Sequence, residues 1–391
     1  MENKSEFLEV LETFRADDAS PQKLFGGEGV GMRQSALKRN PKYPQMLAEA
    51  AKFVAKVVRG QRSMRQLQEA MTTSDFPYLF GDILDRQVLA AYQEAPTTWT
   101  NYAKRNTVRD FRTVKRYGVY GADQTLDVVP EQKEYPGSKI DEDAPYSYAV
   151  KKYGRRLPFS FETIVNDDLE ALTDGPARLG RAARRTEQKF VTGLYCDANG
   201  PHASFYTGGN GNIITSNPVL SLAALQTGME IMSKATDQNG EPIVIEMVEL
   251  VVPPALEVTA LNILNALTIE LTEKGGTSAR KLTSQNWMKT RFNLNVDYYV
   301  PIVAKTTNTH TSWFLFANPN NGRPALEVGF LRGHDQPEVF MKQPNAVRLG
   351  GGGADEYDFD TDSREYKVRH ILGGTRMDPK MTVASNGSGV P

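Results

Sequence analysis

One amphipathic stretch near the middle of the chain, residues 178–199, constrains the fold more than any other part of the sequence. At about 100° of turn per residue, six small or apolar side chains fall on one helical face: Leu179, Ala182, Ala183, Phe190, Gly193 and Leu194. A basic stripe lies beside that face and is formed by Arg178, Arg181, Arg185 and Lys189. Counted from Pro176, a residue suited to a first turn, to Cys196, the helix would be about 30 Å long. The sequence therefore predicts a long helical strut with a narrow seam suited to close packing.

Composition sets the broad class of the protein. The chain has 391 residues, 40% of them hydrophobic, which is enough for two or three folding units with an ordinary core. Its 46 basic and 47 acidic residues nearly cancel, which argues against a dedicated nucleic-acid binder. No apolar run approaches the roughly 18 residues that span a bilayer, and the sequence begins without a signal-type segment. We therefore expect a soluble protein, made in a cytoplasm, with no membrane partner.

Motifs for metal, nucleotide or nucleophilic chemistry are incomplete. The four histidines are far apart in sequence and none has a second ligand at i+3 or i+4: His202, His310, His334 and His370. The glycine run 26–31 lacks the spacing of a dinucleotide site, and Ser278-x-x-Lys281 lacks a partner motif. The single cysteine, Cys196, excludes a disulfide framework, and its small neighbours favour buried packing over a nucleophile.

One acidic run begins like a calcium loop. Asp358, Asp360 and Asp362 have the right alternation, but Ser363 and Arg369 stand where glycine and a closing glutamate are required. A solvated or arginine-paired acidic run is the favoured interpretation. Together with the incomplete motifs above, this predicts no catalytic residue, no metal and no cofactor.

Residues 1–75 are predicted to form largely helical arms without a core of their own. Apolar residues recur at helical spacing on either side of the glycine run: Phe7, Leu11 and Phe14 before it, and Met46, Phe53 and Val57 after it. Apolar faces on so thin a segment need cover from elsewhere, and a neighbouring subunit is the natural candidate. A further helix is predicted within 76–109.

Residues 110–160 are predicted to form a long β-hairpin. Tyr146, Tyr148 and Val150 alternate with small residues, and Pro136-Gly137 marks a turn. Charges of opposite sign lie on the two sides of this hairpin: Asp141, Glu142 and Asp143 on one side, and Lys151, Lys152, Arg155 and Arg156 on the other. Two interpretations are open, a solvated hairpin, which is commoner in an average protein, or a hairpin that lies across a partner.

The second half of the chain alternates helix and strand patterns and predicts an α+β unit over 219–345. Its later strand-like runs are Val296–Val303, Trp313–Phe316, Ala325–Phe330 and Glu338–Met341. After the glycines at 350–353, two more strands are predicted, Arg364–Ile371 and Lys380–Ala384, with a turn at Gly373-Gly374. These last strands are expected to return beside the long helix.

Three segments, taken in chain order, carry a family resemblance. They are LVVPPALEVTAL at 250–261, the series WFLFANP, ALEVGFLRG and QPEVF between 313 and 340, and YKVRHILGGTRMDP at 366–379. In this order they resemble the major capsid protein of tailed bacteriophages, whose icosahedral-shell fold is shared with encapsulins. The resemblance covers the chain from about Asp75 to its carboxyl terminus.

This resemblance implies an α+β fold with named parts. They are an amino-terminal arm at 1–75, a helix at 76–109 leading into a P-domain, a hairpin (the E-loop) at 110–160, the P-domain with its spine helix at 161–218, an A-domain at 219–345, and return strands of the P-domain at 346–391. In such shells the E-loop reaches over a neighbouring subunit, which favours the second interpretation of the hairpin. The predicted inter-subunit residues are Asp141, Glu142, Asp143, Arg155 and Arg156 on the hairpin and Phe7, Leu11 and Phe14 on the arm.

The function that the resemblance implies is self-assembly into hexamers and pentamers of an icosahedral shell around a double-stranded DNA genome. Its partners would be copies of itself, portal and scaffold proteins, a decoration protein in some systems, and packaged DNA through non-specific contact. The protein would reside in the virion after assembly in the host cytoplasm. An encapsulin-type nanocompartment is the alternative within the fold, and a soluble enzyme is the alternative outside it.

Some members of the family join a hairpin lysine to an asparagine of another subunit. Lys133, Lys139 and Asn386 fall in the corresponding regions. Nothing in the sequence around the two lysines predicts the apolar pocket that a nucleophilic lysine needs. We therefore predict that this chain forms no such cross-link.

Overall fold

The structure is a computed structural model in which both helices and strands are well represented. It describes residues 42–58, 88–93, 97–117, 119–120, 128–129, 131–132, 141–142, 146–160, 169–237, 240–266, 268–273, 280–320, 323–342, 358, 360–361 and 363–389. The arm residues Phe7, Leu11 and Phe14 lie outside these ranges, as do Asp143, Lys133 and Lys139.

Seven α-helices are described. They are α1 (Tyr43–Val58), α2 (Trp99–Tyr102), α3 (Leu169–Tyr195), α4 (Leu222–Ser233), α5 (Glu257–Asn265), α6 (Met288–Arg291) and α7 (Val300–Val303). Residues 88–93 are also helical, and short 3₁₀ turns occur at Pro254–Leu256 and Pro379–Met381.

Seventeen strands are described. They are β1 (Lys104–Val108), β2 (Val114–Arg116), β3 (Val119–Tyr120), β4 (Asp141–Glu142), β5 (Tyr146–Tyr148), β6 (Lys151–Ser160), β7 (Cys196–Asp197), β8 (Gly200–Pro201), β9 (Val248–Val252), β10 (Thr268–Glu273), β11 (Arg280–Gln285), β12 (Phe292–Val296), β13 (Trp313–Ala317), β14 (Leu326–Leu331), β15 (Glu338–Met341), β16 (Ser363–Arg376) and β17 (Thr382–Ser385). The predicted α+β class is confirmed.

The chain forms two compact units. The first takes residues from Met1–Pro96, Lys151–Thr186 and Leu331–Leu372, and the second from Thr97–Val150, Glu187–Phe330 and Gly373–Pro391. Helix α3 and strand β16 each contribute residues to both units.

Strand β16 belongs to a five-stranded sheet that also contains β1, β14, β15 and β6, and its part in the first unit pairs with β6 and β15. Strand β6 pairs with β16 over ten residues, from Ser160 opposite Ser363 to Lys151 opposite Leu372. Strand β15 pairs on the other side, with Glu338 opposite Arg369. Burial alternates along β16 from Tyr366 to His370, where Tyr366, Val368 and His370 are buried, and both Ile371 and Leu372 are buried after them. This alternation is expected of a sheet that packs one face and exposes the other.

The second unit contains a four-stranded sheet in the order β12-β9-β13-β17. Strand β9 is parallel to β12 and antiparallel to β13, which in turn pairs with β17. Every residue of β9, β13 and β17 is buried, and β9 and β13 are nearly continuous apolar runs, as is typical of strands that are covered on both faces. The sheet draws on residues predicted for both the A-domain and the return strands.

The predicted turn at Gly373-Gly374 is wrong, because β16 runs without interruption to Arg376. The two glycines allow β16 to pass close to the neighbouring backbone. A Cβ atom on Gly373 would lie 2.5 Å from the carbonyl oxygen of Ala149, and one on Gly374 would lie 2.5 Å from that of Glu327. Any larger residue would push neighbouring backbone away.

The strand predicted at Val296–Val303 is wrong, because only Val296 of this range lies in a strand. Strand β12 ends at Val296, and a helical turn, α7, begins at Val300. The Asp297 side chain accepts a hydrogen bond from the backbone N–H of Tyr299 at 2.8 Å, which stabilises the reversal. The neighbouring predictions at 313–316, 325–330 and 338–341 are confirmed to within one residue.

The long helix is confirmed, but α3 begins at Leu169 and not at Pro176. Good helix formers at 169–172 extend the helix in front of the proline. The predicted seam is only partly buried: Leu179 and Ala183 are buried, whereas Gly193 is exposed. Further along the helix, the polar residues Glu187, Gln188 and Thr192 are buried. Their hydrogen-bond partners are described below.

Candidate assembly surfaces

An antiparallel ribbon lies in the second unit between Val114 and Tyr148. Strands β2 and β5 pair at its base, with Val114 opposite Tyr148, and β3 and β4 pair further out, with Val119 opposite Glu142. The ribbon corresponds to the inner part of the hairpin predicted at 110–160.

One buried carboxylate, that of Glu327 on β14, fixes the base of this ribbon. Its Oε1 atom accepts hydrogen bonds from the Tyr148 hydroxyl at 2.6 Å, the Arg116 Nε at 2.8 Å and the Asn106 Nδ2 at 3.1 Å. Only 2% of Glu327 is exposed, so the bond from the Arg116 guanidinium also compensates its charge. Both strands at the base of the ribbon, β2 and β5, are therefore hydrogen-bonded to β14.

The Tyr148 ring needs room beside β14, and Gly329 provides it. A Cβ atom at Gly329 would lie 2.5 Å from the Tyr148 hydroxyl and 2.6 Å from its ring. Burial, followed by the adjacent Glu327 carboxylate, raises the pKa of the Tyr148 hydroxyl far above its ordinary value. The hydroxyl therefore stays a hydrogen-bond donor over the whole working pH range.

A second buried carboxylate, Asp297, is held by the carboxyl-terminal part of α3. Its Oδ2 atom accepts hydrogen bonds from the hydroxyls of Tyr195 at 2.5 Å, Thr192 at 2.6 Å and Tyr102 at 3.3 Å. Burial, aided by the Asp297 charge, raises the pKa of both tyrosines well above the usual value. The cluster ties α2, α3 and the turn after β12 together.

Two further polar residues of α3 explain why its buried face differs from the apolar seam. The Gln188 Oε1 atom accepts the backbone N–H groups of Thr98 and Trp99 at 3.1 and 3.2 Å, which satisfies donors at the start of α2. Glu187 accepts the indole N–H of Trp99 at 3.3 Å. Hydrophobic periodicity cannot foresee these buried polar positions, because their partners lie almost 90 residues earlier in the chain.

The outer face of the first unit's sheet is rich in cations. Phe340, Lys367 and Arg156 form one row across the three strands, so their side chains share a face. The Lys367 ammonium lies 5.0 Å and the Arg369 guanidinium 4.6 Å from the centre of the Phe340 ring, within cation–π range. A shallow groove of about 470 Å³ follows this face and is lined by Lys152, Tyr153, Gly154, Arg155, Arg156, Lys367, Val368 and Arg369. We call this surface, defined by Lys152, Arg156, Lys367 and Arg369, the basic face.

Two acidic side chains partly balance the basic face. Glu338 accepts hydrogen bonds from Arg369 at 2.5 and 3.1 Å and also contacts His334. Arg156 lies 3.6 Å from Glu365 but remains 74% exposed. Lys152 and Lys367 are exposed, so the face keeps a surplus of positive charge.

The placement predicted for Arg155 and Arg156 is wrong. Both residues lie on β6, opposite Val368 and Lys367 of β16, and not on the strand that pairs with Asp141 and Glu142. Alternation in the sequence identifies a strand but not its partner. Because only two residues separate β5 from β6, the sequence pattern predicted them as a single strand of the hairpin. Strand β4 contains Asp141 and Glu142, whose side chains lie outside the described part of the structure.

The basic stripe predicted on the long helix lies on α3. Arg178, Arg185 and Lys189 are exposed and Arg181 is half-buried. Their role in contacts with other molecules stays a prediction. A fifth basic residue that the pattern did not single out, Arg184, lies over the Tyr92 ring at 4.9 Å.

Where the acidic run is described, Asp358 is buried and accepts a hydrogen bond from Lys342 Nζ at 2.8 Å. This is a charge-paired arrangement, with lysine in place of the expected arginine. Within the described ranges, no three histidine, cysteine or acidic side chains lie close enough to hold a metal ion. Cys196 is buried, as predicted, and burial raises the pKa of its thiol to about 12.

None of the helices in the described ranges is both long enough and apolar enough to cross a bilayer.

Residues 144–385, more than half of the chain, match the family described as "Phage capsid protein". The chain belongs to this family of phage capsid proteins.

The solved structures to which this chain is similar have low sequence identity to it. The virus-like particle from Pyrococcus furiosus has 11% identity and a TM-score of 0.43, covering 78% of this chain and 99% of that chain. The Gordonia phage Cozz structure has 15% identity and a TM-score of 0.41, covering 72% and 83%. The holo-SrpI encapsulin complex from Synechococcus elongatus has 10% identity and a TM-score of 0.43, covering 77% and 96%. No curated protein matches the sequence significantly.

Proposed function

We propose that many copies of this capsid protein assemble into hexamers and pentamers, which close into an icosahedral phage head around double-stranded DNA. The observation that carries the proposal is the family match over residues 144–385. Closed shells arise when one subunit presents complementary patches that repeat by symmetry. The role is structural and not catalytic.

Within this shell, the proposed parts keep the boundaries given by the resemblance: arm at 1–75, leading helix at 76–109, E-loop at 110–160, P-domain at 161–218 and 346–391, and A-domain at 219–345. The ribbon formed by β2 with β5 and β3 with β4 lies within the proposed E-loop, whose last ten residues, β6, pair with β16. The hydrogen bonds from Tyr148 and Arg116 to Glu327 support a role in reaching a neighbouring copy, because they hold both strands of the ribbon in place for that contact.

The acidic segment Asp141, Glu142 and Asp143 is proposed to meet the basic face of a neighbouring copy. This contact differs from the one expected from the sequence, in which Arg155 and Arg156 belonged to the hairpin. Arg156 instead lies in the same sheet as Lys367 and Arg369, and the three side chains together would bind the acidic segment. Exposed ion pairs contribute roughly 0–1 kcal/mol each, yet the contact would repeat in every subunit of the shell. Charge complementarity of this kind also selects the correct neighbour during assembly.

The other proposed partners are portal and scaffold proteins, a decoration protein in some particles, and packaged DNA in non-specific contact. Assembly is proposed to take place in the host cytoplasm. No lysine–asparagine cross-link is proposed for Lys133, Lys139 and Asn386.

The content of purified particles tests the proposal against the encapsulin alternative. After nuclease treatment of the exterior, particles from infected cells should retain double-stranded DNA of genome length. Shells that instead enclose a protein cargo and no DNA would establish a nanocompartment and refute the head-protein function.

A further inference from the structure

A polar cleft of about 370 Å³ opens at one edge of the second unit's sheet, beside the outermost strand β12. Five asparagines and one glutamate provide most of its polar groups: Asn101, Glu249, Asn293, Asn295, Asn318 and Asn320. Nothing in the proposed head assembly described above uses this cleft.

The carboxylate of Glu249 is the focus of the cleft. Its Oε1 atom accepts a hydrogen bond from Asn293 Nδ2 at 2.9 Å, and its Oε2 atom accepts one from Asn295 Nδ2 at 2.6 Å. Asn101 in turn donates to the Asn295 Oδ1 atom at 2.6 Å. The amides therefore form a chain of donors that ends on the carboxylate.

This arrangement leaves Glu249 with acceptor capacity and without a cation. A carboxylate offers about four acceptor positions, and the asparagines fill two of them. Only 5% of Glu249 is exposed, yet no lysine or arginine in the described ranges lies within 4.0 Å of its oxygens. A buried carboxylate is costly unless a charge of opposite sign pairs with it.

The residues that line the cleft favour an ammonium or guanidinium group over a metal ion as the cation beside Glu249. Divalent ions such as Ca²⁺ bind six to eight oxygen ligands, with several carboxylates among them in tight sites, but this cleft offers one carboxylate. The amide N–H groups of Asn293 and Asn295 point towards that carboxylate and would face a metal ion bound there. An ammonium or guanidinium group donates hydrogen bonds, and both the carboxylate and the amide oxygens can accept them.

We infer that in the assembled shell the cleft receives a lysine or arginine side chain of a second copy, which pairs with Glu249. A second copy is the occupant because the chain belongs to a capsid family and because the cleft lies at the open edge of a sheet. The inference rests on the proposed shell assembly. It adds an inter-subunit contact at the sheet edge, separate from the hairpin and the basic face.

A reconstruction of the wild-type shell by electron cryo-microscopy, at a resolution that shows side chains, tests the inference directly. The expected result is a lysine or arginine nitrogen of a neighbouring copy within about 4 Å of the Glu249 carboxylate. A cleft that holds only solvent, a metal ion or a neutral segment would overturn it, while the shell itself would still support the proposed function. Failure to form any shell would contradict the proposed function instead.

A substitution provides an independent measurement. Glu249→Gln removes the charge and keeps the size, and it should raise the protein concentration needed for assembly by at least about tenfold. Glu230→Gln, in the same unit, removes an exposed carboxylate that pairs with Lys234 and should leave that concentration unchanged. Thermal unfolding of the dissociated subunits shows whether each variant is folded. Equal assembly of a folded Glu249→Gln variant and the wild type would contradict the inference.

Discussion

The hydroxyl of Tyr148 donates a 2.6 Å hydrogen bond to Oε1 of Glu327, 179 residues further along the chain. It joins β5, a strand of the ribbon, to β14. Because Arg116 of the opposite ribbon strand bonds the same oxygen, a single buried atom fixes both sides of the ribbon base.

Substitutions at this base should destabilise the subunit in a defined order. Glu327→Gln loses the charge that three donors share and should lower the free energy of unfolding by about 1.5–3 kcal/mol. Tyr148→Phe removes one hydrogen bond and should lower it by about 0.5–1.5 kcal/mol. Tyr117→Phe, on the same ribbon at an exposed position, is the matched control and should have no effect. Urea unfolding of dissociated subunits measures all three, and equal stabilities for the wild type and Glu327→Gln would refute the role assigned to this carboxylate.

Two glycine substitutions should change stability in opposite directions. Gly374→Ala places a Cβ atom 2.5 Å from a backbone oxygen of β14 and should destabilise the subunit by about 1–3 kcal/mol through overpacking. Gly193→Ala, at an exposed position of α3 with no atom within 4 Å of the new Cβ, should stabilise it by roughly 0.5–1 kcal/mol. Differential scanning calorimetry checks the signs. A Gly374→Ala variant at least as stable as the wild type would show that β14 and β16 are less closely packed.

Reversing the charge of the hairpin should weaken assembled shells. The triple change Asp141→Lys, Glu142→Lys and Asp143→Lys replaces attraction to the basic face by repulsion, so shells should dissociate at a lower NaCl concentration. Glu131→Lys changes an exposed ribbon residue outside the acidic segment and serves as the control. Combining the triple change with Lys367→Glu should restore part of the salt resistance. Unchanged salt resistance of the triple variant, measured by light scattering, would count against the electrostatic contact.

Stability of the subunit should depend on pH through His202. Its Nδ1 atom lies 2.7 Å from Arg376 Nη1, and burial, followed by the Arg376 charge, lowers the pKa of His202 below its ordinary value near 6.5. Because the unfolded chain binds this proton more readily than the folded chain does, the contribution to stability is complete above about pH 6.5. It falls as the pH drops from there through the lowered pKa of the folded state.

The variant His202→Asn keeps an acceptor for Arg376 without a titrating group in this pH range. Its free energy of unfolding should decline less than that of the wild type between about pH 7 and pH 5. His310→Asn removes an exposed histidine and is the control for loss of an imidazole elsewhere. Identical pH profiles for wild type and His202→Asn would rule out the His202 contribution.

Deleting residues 1–31 tests the amino-terminal arm as a strap between subunits. The apolar residues Phe7, Leu11 and Phe14 are predicted to dock on a neighbour, where burial of one large apolar side chain contributes roughly 1.5–3 kcal/mol. The truncated subunit should fold and keep its A-domain, but its shells should be fragile or misassembled. Shells of wild-type size and thermal stability would exclude the strap.

Elements that depend on local pattern could be predicted from the sequence. The apolar runs of β9 and β13 and the amphipathic pattern of α3 indicate buried strands and a packed helix without any knowledge of their partners. The anchoring residues could not be predicted in the same way. Glu327 stands alone among apolar residues, which signals a buried acid, but its partners at 106, 116 and 148 follow from tertiary packing alone.

The local sequence pattern also cannot predict which strands pair or why a glycine is required. Strands β5 and β6 are separated by two residues, yet β5 pairs within the ribbon and β6 pairs with β16, more than 200 residues away. Gly373-Gly374 is predicted as a turn because glycine permits turns, whereas here it lets β16 approach β14 and the two-residue link between β5 and β6. The pattern cannot distinguish these two uses of glycine.

Electron cryo-microscopy of particles purified from cells that make the full-length chain tests the central claim most directly. The account predicts closed icosahedral shells with hexamers and pentamers of this chain, in which the ribbon rooted at Glu327 extends over an adjacent copy. Soluble monomers, or a single closed ring that never forms a shell, would contradict it.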